Sequence, residues 1–228
     1  HLAQALEALE LDALGRDVQD LAAEVLERER LLRLVAEADA EIERFGVDAA
    51  GDADTSARRA GGSKSGSSDD GTGEALAREA LALAERSGDL RSEHFAHHFL
   101  ADCPLIRGDC AAALPRYRRA LELAVELGDR SETAVEMQGV AMALAGCGHP
   151  ARALRLGGAA AAEFEALAID LSGIIFWSAL LERYLGRARA ELAEDAATAA
   201  WEEGRRTRFE HAIALALDAR GPGAEPDM

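Results

Sequence analysis

The sequence predicts an all-α chain of helical hairpins, each about 40 residues long and stacked on the next. Three observations carry that expectation: a composition dominated by Ala and Leu, glycines that recur every 20 residues, and small-residue patterns that recur in the same register. Apolar residues fill 49% of the 228 positions and aromatics only 4%. Close-packed helices suit that mixture, whereas strands would draw on Val, Ile, Thr and Tyr. An array of hairpins also grows by stacking, because one unit cannot bury its apolar face alone.

At the N-terminus, residues 2–14 are Leu-rich at helical spacing and Gly15 interrupts them. Val18, Leu21, Val25, Leu32, Val35, Ile42 and Phe45 then line a second apolar stripe. Residues 1–46 are therefore expected to form one or two amphipathic helices that end at Gly46. Arg28 and Glu29 interrupt a coiled-coil seam, so packing on the first hairpin is the expectation and a homodimer through residues 2–45 the alternative.

Residues 47–72 are Gly, Ser, Asp and Ala with almost nothing apolar to bury, a flexible-linker composition. Limited proteolysis is expected to cut first between Ala49 and Asp70. One repeat before the unit that starts near Arg91, this segment falls where another first helix belongs. Either that helix has been lost, or the run around Lys64, the only lysine, is a foreign insert. Gly61 to Gly66 lacks the spacing of a phosphate loop and follows no apolar strand.

Residues 73–203 hold the repeats. Ser87-Gly88-Asp89, Arg107-Gly108-Asp109, Leu127-Gly128-Asp129 and Cys147-Gly148-His149 place glycines 20 residues apart. Each Gly-Asp pair reads as a helix end joined to a helix start, since Gly reaches the left-handed conformation freely and Asp caps the next helix. Ala80-Leu81-Ala82-Leu83-Ala84 before Gly88 recurs as Ala120-Leu121-Glu122-Leu123-Ala124 before Gly128.

These residues resemble the tetratricopeptide-repeat family. Trp177-x2-Leu180-x3-Tyr184 fits the pattern of its first helix, with Leu181 in place of Gly. Ala113-x3-Tyr117-x2-Ala120 fits its second helix, and Ala193-x3-Ala197-x2-Ala200 and Ala153-x3-Gly157-x2-Ala160 keep the small residues. In the Arg91 unit, Leu100-Ala101 stands for Leu-Gly, and Pro104 replaces the aromatic and should kink or shorten its helix. The resemblance implies a right-handed solenoid and a groove lined by the first helix of each unit. Carried over in the 40-residue register, the groove residues are His98, Gln138 and Ser178 in one column and Asp102, Met142 and Glu182 in the next.

Beyond the repeats, Thr207-Arg208-Phe209-Glu210 has capping-box spacing, and residues 204–220 are expected to form a helix over Phe209 to Leu217 that covers the end of the array. Residues 221–228 are expected to be a disordered tail. Ala200 to Arg205 and Glu210 to Leu217 resemble the C-terminal region of large actinobacterial ATP-binding regulators of the LuxR and antibiotic-regulatory type. That resemblance implies a sensing or partner-binding part of a larger transcriptional regulator, and the start at His1 fits a piece of a longer polypeptide.

The formal charge of −17 sets the surface field against phosphate backbones and anionic membranes, so direct nucleic-acid binding is not expected. No apolar run is long enough to span a membrane. Cys103, Cys110 and Cys147 show no CxxC spacing, which speaks against a disulfide framework or a zinc knuckle and for a reducing, cytoplasmic setting. Cys147, beside a turn, is the thiol expected to be most open to oxidation.

The expected function is non-catalytic binding of a protein or peptide, without cofactor or metal. Two carboxylates in the groove would favour a basic ligand. The alternatives are a metal-dependent enzyme using His94, His97 and His98, which stand at i, i+3 and i+4, and a structural oligomerisation module.

Overall fold

The structure, a computed structural model, describes residues 29–44 and 70–218. The expectations for 1–28, 45–69 and 219–228, including the cleavage-prone linker and the tail, lie outside the described residues. Every regular element among the described residues is helical. Residues 29–44 form α1, followed by α2 (Asp70–Ser87), α3 (Leu90–Arg107), α4 (Cys110–Glu126), α5 (Arg130–Gly146) and α6 (Pro150–Leu167). The chain continues through α7 (Ile175–Leu181), a π-helical turn (Glu182–Gly186), α8 (Arg187–Ala190), α9 (Glu194–Arg206) and α10 (Phe209–Leu217). No described helix is long and apolar enough to cross a membrane.

The glycine register sets the helix boundaries. Gly88, Gly108, Gly128 and Gly148 have φ between +68° and +86°, the left-handed region in which a side chain is strained. At each turn an amide closes back on a carbonyl five residues earlier: Asp89 on Ala84, Asp109 on Pro104, Asp129 on Ala124 and His149 on Leu144, at 2.8 to 3.1 Å. Asp89, Asp109 and Asp129 then accept the amides of Ser92, Ala112 and Glu132 at 3.1 to 3.3 Å, capping α3, α4 and α5. His149 makes no such bond, and Pro150 opens α6 instead. Turns this short force each helix back along its predecessor, and α2 to α6 pack pairwise in chain order.

The same turn recurs once more without its glycine. Ile169 N bonds to Phe164 O at 3.0 Å, and Ala168 takes the left-handed conformation at φ 54°. The spacing slips after it, because residues 169–174 are non-helical before α7 begins.

Three expectations are corrected. Pro104 does not shorten its helix, since α3 runs on to Arg107. The predicted capping box is not formed: Thr207 donates its hydroxyl to Glu203 O at the end of α9, and Arg208 precedes α10 without a side-chain cap. Nor does α10 cover the end of the array. It turns back onto α4, α5 and α6, burying Phe209, Ala212 and Ala216. Arg118 donates to Ala216 O at 3.0 Å and to Asp218 O at 2.9 Å, satisfying carbonyls at the C-terminal end of that helix. The outer face of α9 needs no cover, because Glu194, Asp195, Glu202 and Arg206 make it polar.

The first helix expected within 47–72 is supplied from further upstream by α1. Leu31 and Leu34 pack with Ala80, Leu83 and Ala84 of α2, and Ile42 meets Gly73, so α1 and α2 run antiparallel. Ala38 and Ile42 join the main core with Phe99 of α3. The buried residues of α1 are thus Leu31, Leu34, Ala38 and Ile42, while Leu32 of the expected stripe stays exposed.

Candidate functional site

Packing surrounds α3 and α5 on nearly every side, so their polar residues are drawn inside the protein. His94, His98 and Asp102 follow one another a turn apart along α3, and Glu132 and Glu136 stand a turn apart on α5. His94 Nε2 and His98 Nδ1 both meet one oxygen, Glu136 Oε1, at 2.9 and 2.8 Å. His98 Nε2 faces Asp102 Oδ2 at 3.3 Å. From α4, Tyr117 donates its hydroxyl to Asp102 Oδ1 at 2.5 Å. Tyr117 reaches this depth because Gly139 lies under its ring, where any side chain would overlap it. His94 and Glu136 are both 0% exposed.

Electrostatics binds the cluster together. Burial works against the His98 imidazolium, but the carboxylates of Asp102 and Glu136 outweigh it and push the group up to about 10. Burial opposes ionisation of Glu136 too, yet His98 and the hydrogen bonds from both histidines hold it below the usual carboxylate range. Burial raises Asp102 to about 6 against the pull of His98 and Tyr117. It also lifts Tyr117 and Glu132. Glu136 Oε2 has no hydrogen-bond partner.

The predicted histidine trio does not converge. His94 and His98 meet at Glu136, whereas burial and the α4 arginine Arg116 push His97 down to about 4. The sequence reading passed over Glu132 and Glu136. Their signal was present as an i, i+4 acidic pair on the helix one hairpin beyond the His94–His98 pair, but such pairs are common on solvated faces.

The six predicted groove residues separate into three settings. Asp102 and Met142 are buried in the core, at 1% and 0% exposure, which corrects their placement on a ligand-facing column. Gln138, Ser178 and Glu182 do come together, lining a cleft of about 560 Å³ with Leu171, Arg189 and Trp201. Gln138 accepts the indole hydrogen of Trp177 at 2.8 Å, which fixes one wall. His98 lines a second, smaller cleft of about 200 Å³ with Phe176, Trp177 and, from α1, Asp39 and Glu43. Burial raises Asp39 in this position.

The chain after α7 also reaches back to α3, two hairpins earlier. Tyr184 donates to Leu105 O at 2.6 Å and Arg183 to Ile106 O at 2.9 Å. The His98 and Trp177 rings lie 5.5 Å apart. The Trp177, Leu180 and Tyr184 set thus serves packing and hydrogen bonding across hairpins.

The cysteines offer little chemistry. Burial pushes the Cys103 thiol up to about 12. Cys147 is the least buried of the three, as its place beside a turn implied, while burial, with Cys110 adding to the effect, raises its thiol.

No protein-family model matches the chain, and the searches of curated proteins and of solved structures found no match either.

Proposed function

We propose that the chain is a non-catalytic helical-repeat domain of the tetratricopeptide type that binds a basic protein or peptide segment, as the regulatory part of a larger transcriptional regulator. The observation that carries the binding reading is the pair of clefts on either side of Trp177, one of them edged by Asp39 and Glu43. The repeat type is supported by five turns of one design at 20-residue spacing and by the Trp177-Leu180-Tyr184 and Ala113-Tyr117-Ala120 patterns. The regulatory role rests on the resemblance of residues 200–217 to the ends of such regulators.

Charge decides the class of ligand. Asp39 and Glu43 are exposed on a chain of net charge −17, so a lysine or arginine side chain gains attraction in the smaller cleft, and Phe176 and Trp177 offer contact to its stem. In the larger cleft Glu182 and Arg189 offset one another, which suits an uncharged flanking residue.

Fluorescence anisotropy with a labelled peptide pool rich in Lys and Arg, against a matched pool rich in Asp and Glu, tests the proposal. The basic pool should bind, and more weakly as salt rises, since exposed charges are screened over ~8–10 Å near physiological ionic strength. Replacing Asp39 and Glu43 together by Ala should weaken binding roughly three- to tenfold, the range of two exposed ion pairs. Equal binding of both pools, or a double variant that binds like the parent, would refute it.

A further inference from the structure

The interface between α3 and α5 brings two ligand-bearing pairs face to face: His94 and His98 against Glu132 and Glu136. One ligand atom from each of His94, Glu132 and Glu136 lies within 4.8 Å of the other two. The edge from His94 Nε2 to Glu136 Oε1 is 2.9 Å. Two donors on one tetrahedral ion at ~2.0–2.2 Å stand roughly 3.3–3.6 Å apart, so this edge becomes that of a coordination sphere by opening about half an ångström. Glu132 is only partly buried in the first turn of α5, which leaves its side chain the freest of the three to adjust.

A second observation points the same way. Glu136 is fully buried, and its Oε2 has no partner. Leaving an anionic oxygen unpaired away from water is costly. Three carboxylates, Asp102, Glu132 and Glu136, gather around two imidazoles, and among the described residues no arginine forms an ion pair with any of them. Carboxylates outnumber imidazoles where these donor atoms converge.

We propose that His94, Glu132 and Glu136 form a binding site for one divalent transition-metal ion of the zinc class, held by His94 Nε2 and an oxygen of each glutamate. An imidazole with two carboxylates suits zinc-like ions, whereas magnesium and calcium prefer all-oxygen sets. The ion replaces the His94–Glu136 hydrogen bond and draws on the unpaired Glu136 oxygen. His94 and Glu136 are sealed from solvent, so the ion acts as a clamp between α3 and α5 and not as a reactive centre. Because α5 follows α3 as the first helix of the next hairpin, a clamp here sets how two hairpins pack. Entry is from the side of Glu132, the least buried of the three.

Isothermal titration of chelator-treated protein with Zn²⁺, together with the visible absorption of a Co²⁺ complex, tests the site. The parent should take up one equivalent and melt at a higher temperature when loaded. Glu132→Gln keeps the size of a partly exposed side chain and should fold, yet bind Zn²⁺ at least about tenfold more weakly, the lower end of the loss seen when even an outer partner of a metal site is removed. His97→Gln, at a side chain that meets the α4 arginine Arg116 and makes no contact with Glu136, should bind like the parent. Absence of uptake by the parent, parent-like affinity in Glu132→Gln, or an equal loss in His97→Gln would each overturn the proposal. His94→Gln gives a further check where it folds, with loss of binding expected and full binding contradicting the assignment.

Discussion

At His97 a single buried imidazole ties the fold to pH. Burial and the neighbouring Arg116 hold it near 4, well below its ordinary 6.5, so it is neutral in the folded protein near neutrality. A group depressed in this way contributes stability that is complete above pH 6.5 and is lost as the pH falls toward 4, because the unfolded chain takes up the proton first. His97→Leu should therefore lose less of its melting temperature than the parent when the pH is lowered across that window. An unchanged slope would mean that His97 is already protonated in the fold. His98, one residue on, is pushed the opposite way, because it faces the carboxylates of Asp102 and Glu136 where His97 faces arginine. Sequence spacing placed the two on one helical face; the partners that each meets, not the spacing, set their chemistry.

Among the elements, the turns were the most legible in the sequence, since a left-handed residue at a helix end strongly favours Gly and the following cap favours Asp. The exception is informative. Ala168 occupies the left-handed position of the fifth turn, and a side chain in that conformation costs roughly 1–2 kcal/mol. Ala168→Gly should therefore stabilise the protein, by about 1 kcal/mol once the greater freedom of glycine in the unfolded chain is set against the relief. Denaturant unfolding measures it, and a destabilised variant would mean that Ala168 is not strained. Elsewhere the sequence misled for physical reasons. The Thr207 hydroxyl had a nearer acceptor in Glu203 O than the capping box offered. The repeat resemblance, carried over in the 40-residue register, places Asp102 and Met142 in a groove. Both helices are in fact buried on most sides, and polar residues there pair with one another, as Asp102 does with Tyr117 and Gln138 with Trp177. A cluster of that kind leaves no periodic trace in the sequence. That α1 itself pairs with α2 as a first helix was equally hard to read, because the 20-residue register does not extend across the residues that separate them.

For the whole molecule, the reach of the chain after α7 back to α3 is the feature that bears on the proposed function. Arg183 and Tyr184 join the chain after α7 to the end of α3, and the proposed ligand would meet two clefts, one lined by Trp177 and the other by its partner Gln138, where the repeat resemblance implied one groove. The acidic edge of the smaller cleft and the net charge of −17 act together on any basic partner that approaches. An amide NMR titration of the full chain with an arginine-rich peptide tests this account most directly. The account predicts that shifts concentrate at Asp39, Glu43, Leu171, Trp177, Ser178 and Glu182, on both sides of Trp177, and fade as salt is added. Shifts confined to the outer faces of α4, α9 or α10, with those six residues unmoved, would contradict it.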